Sequence, residues 1–209
     1  MQKISINGVE VFVEPEEKYL QINDINEADL GKIWGLVLGE YGDYDKWLCY
    51  HSTIPPTSLI EEVGGVLVDD SVEMRLVPNQ FCPAQFLGVQ RLTKADFDEF
   101  AQLHDRLNPD MYWNSQRMVQ DLSHWAVFVV LNGGKITAYT MLALWNWEIY
   151  KVAAETISQN AALITAAAQF AFENGAKELL YMADDGTNAH QAALKTGFLQ
   201  TGFYKGYKL

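Results

Sequence analysis

Cysteine is scarce in this chain. Cys49 and Cys82 are the only two, and neither stands in a Cys-x-x-Cys or Cys/His cluster. That excludes a disulfide framework and a thiolate metal site, leaving two simple thiols. The four histidines, His51, His104, His124 and His190, lack metal-ligand spacing, so no metal is expected. No run approaches the roughly 20 apolar residues that span a bilayer. The beginning, MQKISINGVEVFVEPEEK, lacks the basic-then-apolar order of a signal peptide, so a cytoplasmic location is expected. Positive charge is also short, with 15 Lys+Arg against 27 Asp+Glu and a formal net charge of −12. A field of that sign repels nucleic acid and anionic membrane surfaces, and neither is an expected partner.

What the chain does have is material for a core. Its 209 residues are 49% hydrophobic, 12% aromatic and only 20% charged, well outside the disordered range. The acidity is unevenly spread. Residues 1–85 hold 15 acidic against 5 basic residues, a formal −10, and residues 86–209 hold 12 against 10. Between the two parts, LVPNQFCPAQFLG carries two prolines that interrupt regular structure, so the boundary is placed at 85/86, with an acidic lobe before it and a second domain, 86–209, after it. In the lobe, Asn7-Gly8 between alternating apolar residues predicts a hairpin. Asp24 to Leu38 reads as a helix with Leu30, Ile33, Trp34, Val37 and Leu38 on one stripe. GGVLVDDSVEMRLV predicts a second hairpin, turning at Asp69-Asp70.

The C-terminal part has a more specific pattern. From Gly175 the chain reads GAKELLYMADDGTNAHQAALKTGFLQTGFYKGYKL. A helix ends in Gly175, a short apolar strand follows at Leu179–Met182, an Asn188-containing loop opens another helix, and Gly197–Phe198 lead into a final strand. Upstream, VQRLTKADFDEFAQLHDRL reads as a strand and then an amphipathic helix started at Thr93, and WAVFVVLNGGKITAYTMLALW as a hairpin. In this order and spacing, over about 86–209, the chain resembles the GCN5-related N-acetyltransferase (GNAT) superfamily.

The resemblance implies an α/β (α+β) fold in which helices flank a mixed, mostly antiparallel central sheet. QINDINEADLGKIWGLVL in the lobe parallels VQRLTKADFDEFAQLH in its strand-loop-helix order, so the lobe reads either as a degenerate half-copy of the same unit or as an unrelated extension.

The resemblance also implies a donor substrate, acetyl-CoA, whose pantetheine arm lies along Glu148–Glu155 like an added strand, bound by the backbone of Val152, Ala153 and Ala154. A strand amide there stabilises the oxyanion. The next helix, capped by Ser158 or Thr156 and ended at Asn174-Gly175, turns its free amides and positive end to the pyrophosphate. Ser158, Gln159, Asn160 and Ala161 at its head, with Asn188 at the head of the following helix, are the cofactor candidates.

Two departures stand out. Family members carry a basic residue or Gln and then two small residues at that head, where this chain has Glu155-Thr-Ile-Ser158-Gln-Asn160 without either glycine. Ala193 takes the place of a tyrosine that often serves as general acid, so Tyr181, Tyr204, Tyr207 or solvent takes that role, and Tyr204 is the named candidate. Glu148 is the candidate general base, because a glutamate on this strand serves in some members; His190 is a lesser one.

The loop LNPDMYWNSQRM falls where the superfamily builds its acceptor pocket. Asp110, Tyr112 and Trp113 suit a cationic, partly apolar acceptor, with Trp145 and Trp147 as the opposite wall. The expected function is an acetyl-CoA-dependent N-acyltransferase acting by direct transfer on a small amine or a peptide amino terminus. The alternatives are a non-catalytic GNAT-like module that binds CoA or a protein, and a plain α/β interaction domain. The final strand, FYKGYKL, offers an edge to a second copy, so a homodimer is an expected assembly.

Overall fold

The computed structural model describes residues 2–85 and 88–209. Its contacts divide the chain into two compact units, Met1–Val72 with Gly202–Leu209, and Glu73–Thr201. The division falls inside a long strand rather than in the proline-containing stretch that follows it.

In the first unit the chain forms β1 (Gln2–Ile6), β2 (Val9–Glu14), β3 (Tyr19–Asn23), helix α1 (Glu27–Glu40), β4 (Asp45–His51) and helix α2 (Thr57–Glu62). β1 and β2 are antiparallel and turn at Asn7-Gly8, whose φ values of 48° and 84° are the left-handed geometry this dipeptide favours. β2 and β3 are antiparallel, and α1 carries the chain over to β4, which runs parallel to β3. The helix starts later than the sequence suggests, because Asn26 caps it by accepting from the Asp29 amide at 2.9 Å. Leu30, Ile33 and Val37 are fully buried beneath it, packed with Leu20, Ile22, Leu48 and Tyr50, while Leu38 is exposed.

The hairpin expected at Asp69-Asp70 does not form. β5 (Val66–Leu76) runs unbroken through both residues, since no glycine or asparagine supplies a positive φ there and their carboxylates are engaged by Ser71 and Lys205. The last strand, β11 (Leu199–Lys208), is antiparallel to β4 from Tyr204 to Lys208 and lies between β4 and β5, so the edge expected to be open to a second copy is taken within the chain.

The second unit contains β6 (Val89–Arg91), α3 (Phe97–Leu107), α4 (Ser115–Gln120), β7 (Trp125–Asn132), β8 (Lys135–Ala143), β9 (Glu148–Ala153), α5 (Ile157–Glu173), β10 (Leu179–Asp184) and α6 (Asn188–Lys195). Its strands lie in the order β5, β10, β9, β8, β7, β6. β6 to β9 are successively antiparallel, and β10 is parallel to β9. The β7–β8 turn uses Gly133 and Gly134, both at positive φ. Gly197, at φ 98°, has a further constraint: a Cβ there would sit 2.0 Å from the Gln80 carbonyl, so only glycine fits. α5 is nearly surrounded, with Leu163, Ile164, Ala167, Ala168 and Ala171 at 0% exposure. The fold is a mixed, mostly antiparallel sheet architecture with flanking helices, as the sequence implies.

The two units share one order of elements. β1, β2, β3, α1, β4, α2 and β5 follow one another as β7, β8, β9, α5, β10, α6 and β11 do, with two antiparallel steps, a helical crossover to a parallel strand, a second helix and a final strand. The first lobe thus repeats the element order of the second unit, in a different alignment from the one the sequence suggested. The counterpart of β3 and α1 is β9 and α5, whose helix likewise leads to a parallel strand. β6 and α3 lead through α4 to an antiparallel one.

Candidate active site

The site begins with one surplus residue in a strand. β8 and β9 pair as Tyr139↔Ala153, Thr140↔Val152 and Met141↔Lys151, and the next pair is Leu142↔Ile149, so Tyr150 has no opposite number. Such a bulge bends its strand and re-aims it. On its other side β9 pairs with β10 only at Leu180↔Glu148 and Tyr181↔Ile149. Beyond the bulge the two parallel strands part. The backbone of Lys151–Ala153 facing β10 is then left without a ladder partner among the described residues, and such groups call for a hydrogen-bonding ligand or water.

At the far end of the parting stands the head of α5. Thr156 caps it, accepting from the Gln159 amide at 3.2 Å, and Ser158 is exposed. Asn160 is 1% exposed; its Nδ2 donates to the carbonyls of Ala154 (3.1 Å) and Thr156 (2.8 Å), and its Oδ1 has no partner among the described residues. Asn188, at the head of α6, donates from Nδ2 to the Glu155 carbonyl at 2.8 Å. The structure thus brings Ala154, Ser158, Gln159, Asn160 and Asn188 to one place, with Ala161 buried behind them. Val152 turns its side chain into the core and offers only its backbone. The loop is tied down by side-chain amides, where the superfamily pattern has small residues.

At the near end lies Glu148, the first residue of β9. Burial pushes its carboxyl above the ordinary 4.5, and the Asn146 amide, donating to Oε2 at 2.7 Å, partly offsets this. Tyr150, which feels the Glu148 charge, belongs to a cluster of aromatic rings from four separate segments. Trp125 lies 4.9 Å from Trp145, 5.4 Å from Trp113 and 5.4 Å from Tyr150, with Trp113 and Trp145 5.7 Å apart. Tyr112 packs edge-on against Trp113 at 5.3 Å. Edge-to-face pairs of this kind add to the burial of each ring. The wall joins Trp113 and Trp145, which the sequence singled out, to Trp125 and Tyr150, which it did not. Burial and the neighbouring Glu148 push the Tyr150 phenol up to about 12. Asp110 lies exposed at the loop's edge.

The loop bearing Tyr112 and Trp113 is fastened at several points. Arg117 donates from Nη1 to the Tyr112 carbonyl at 2.6 Å, with its guanidinium 4.0 Å above the Tyr112 ring. Asp105 accepts from the Ser115 amide at 2.9 Å and hydroxyl at 2.5 Å. His104, wholly buried in α3, contacts the Trp113 carbonyl and the Tyr139 hydroxyl.

Tyr204 belongs to the first unit. Its hydroxyl donates to the Cys49 sulfur at 3.1 Å, and burial raises its pKa. His190 lies in the first turn of α6, with Nδ1 accepting from the Gly186 amide at 3.1 Å. No cluster of His, Cys, Asp or Glu among the described residues could hold a metal ion, and no described helix is long and apolar enough to cross a membrane.

No family model matches the chain, and neither does any curated protein. Solved structures do. The chain aligns over 99% of its length with 93% of a functionally unknown conserved protein from Staphylococcus epidermidis (TM-score 0.69, 12% identity) and with 88% of a GCN5-related N-acetyltransferase from Kribbella flavida (TM-score 0.68, 14% identity). Over 91% of its length it aligns with 60% of Saccharomyces cerevisiae N-myristoyltransferase, whose structure holds myristoyl-CoA (TM-score 0.58, 13% identity). Likeness at these identities concerns the fold.

Proposed function

From a GCN5-related N-acetyltransferase fold and the parted β9–β10 pair within it, we propose that the protein is an acetyl-CoA-dependent N-acyltransferase, carrying an acetyl group directly to a small amine or a peptide amino terminus. The parted pair is the observation that carries the reading. It leaves an edge of unpaired amides and carbonyls, which suits a thioester arm rich in amide groups, bound as an added strand. The head of α5 suits an anion less well than the glycine-containing pattern does, because Thr156 already takes one of its amides.

In this reading the acceptor lies against the Trp113, Trp125, Trp145 and Tyr150 wall, which offers a cation both apolar area and ring faces. Glu148 takes the proton from the acceptor ammonium, directly or through one water, and burial tunes it for that role by raising its pKa. The free amine then attacks the thioester carbonyl, and a β9 amide at the bulge stabilises the oxyanion. As the C–S bond breaks, the newly acylated nitrogen gives its surplus proton to solvent and solvent returns a proton to the thiolate, since the Tyr204 hydroxyl is committed to Cys49. The non-catalytic CoA-binding alternative shares the cleft and differs only at Glu148.

The test is thiol release from acetyl-CoA with a panel of amines and peptides, beside a thermal-shift titration with acetyl-CoA. Turnover that Glu148→Gln abolishes supports the enzyme. A thermal shift without turnover supports the binder, and the absence of both removes the two together.

A further inference from the structure

We propose that His104 is the positioning residue of the acceptor side: as a neutral imidazole it holds the loop of residues 108–114 so that Trp113 completes the aromatic wall. This rests on the acyltransferase reading for its kinetic consequence, though not for its geometry.

The proton arrangement follows from the partners alone. His104 Nε2 lies 2.9 Å from the Trp113 carbonyl oxygen, which can only accept, so Nε2 carries the hydrogen. In the neutral ring Nδ1 must then accept, and the Tyr139 hydroxyl 2.8 Å away donates to it. The Tyr139 oxygen in turn accepts from Asn108 Nδ2 at 2.7 Å, and the same amide donates to the His104 carbonyl at 2.9 Å. A single directional chain therefore runs from Asn108 at the end of α3, through Tyr139 on β8 and His104 on α3, to the main chain of Trp113. Phe100 stacks on the imidazole at 5.3 Å and 14° and closes that face.

Protonation of Nδ1 breaks the chain. The Tyr139 oxygen would then face two donors, and its own hydrogen would lose the acceptor it now has at a fully buried position. Every element packed on the ring bears on that proton. Apolar burial and Lys151 on β9 oppose it, while the bond to the Trp113 carbonyl and Asp105 on α3 favour it; burial dominates and holds His104 below its ordinary 6.5. The Asp105 carboxylate is also already engaged by Ser115. At neutral pH the chain is intact, and it opens on acidification.

The test compares the whole protein with Tyr139→Phe, which keeps the ring and removes the hydroxyl, and with His104→Phe, which keeps the stack and removes the chain. With 2-phenylethylamine as acceptor probe, both variants should raise the amine KM about tenfold, the effect of losing roughly one hydrogen bond. The acetyl-CoA KM and the acetyl-CoA thermal shift should stay unchanged. In the wild type the amine KM should rise as the pH is lowered below 6.5, and in His104→Phe this pH dependence should vanish. Equal rises in both KM values, or an unchanged amine KM in folded variants, would overturn the proposal. An activity-independent readout separates it from the acyltransferase reading. The imidazole nitrogen resonances of His104 should report the Nε2–H tautomer at pH 7, and tryptophan emission should shift on acidification in the wild type and not in His104→Phe. If no amine is acetylated but these signals appear, the acyltransferase reading falls and the positioning chain stands. If the tautomer is Nδ1–H, the chain itself is refuted, whatever the activity.

Discussion

Each unit of this molecule contains one parallel strand pair reached through a helical crossover, and the two pairs differ in one respect that decides what they can do. β3 and β4 are paired over five residues, from Tyr19↔Asp45 to Asn23↔Cys49, and the seam continues through the Asp24 amide to the Cys49 carbonyl at 2.8 Å. Asp24 then closes the end, accepting from the His51 amide at 2.7 Å with its other oxygen 3.4 Å from the imidazole. β9 and β10 pair at two residues and part. The neighbouring ladders explain the difference, since β2–β3 keeps an unbroken register whereas β8–β9 slips by one at Tyr150. The helix heads differ likewise. α1 opens with Glu27 and Asp29, α5 with no acidic residue in its first turn. One arrangement of elements thus serves as a sealed scaffold in one place and an open cleft in another.

Breaking the open side should have the largest effect. Glu148→Gln should lower kcat/KM by about 10²–10⁴-fold in a thiol-release assay, with acetyl-CoA binding kept. In the wild type the acid limb of kcat/KM against pH should lie above 4.5, because the base works only when ionised and its pKa is raised. The sign for stability is the reverse: a carboxyl with a raised folded pKa favours folding at low pH and costs stability as pH rises above 4.5, so Glu148→Gln should raise Tm at pH 8 relative to pH 4.

Opening the sealed side should be felt only as stability. Asp24→Ala loses the bond to the His51 amide and leaves a non-glycine residue at φ 48°, a cost of about 1–3 kcal/mol readable in urea unfolding, with turnover intact. A matched pair of caps sharpens the contrast. Asn26→Ala and Thr156→Ala should each cost about 1 kcal/mol, but only Thr156→Ala should change the acetyl-CoA KM, because only its helix faces the cleft. The smallest effect is chemical. Burial pushes the Cys49 thiol up to about 11, so a thiol reagent at pH 8 should label Cys82, which is exposed, and spare Cys49 until the protein is unfolded.

The sequence showed most where structure is dictated locally. Asn7-Gly8, Gly133-Gly134, Gly175 and Gly197 mark real turns and helix ends, since each demands a positive φ that few residues tolerate. The apolar periodicity of α5 and its Thr156 and Asn174 limits were equally readable. Asp69-Asp70 misled, because two acidic residues suggest a turn while a single strand, lying between β11 and β10, runs through them. The bulge left no mark at all, as Tyr150 is an ordinary strand residue and the slip is a matter of register with β8. The aromatic wall was half legible. Trp113 and Trp145 sit in turns where they draw notice, whereas Trp125 and Tyr150 read as core strand residues until the fold sets them side by side. The chain through Asn108, Tyr139 and His104 joins a helix end to a strand about thirty residues away, beyond any local pattern.

The terminus of that chain has an evolutionary corollary. His104 grips residue 113 by its carbonyl oxygen, an atom that every amino acid supplies, so the side chain at 113 can be exchanged without loosening its anchor. Selection can therefore redecorate this surface by single substitutions, while the mooring beneath stays constant.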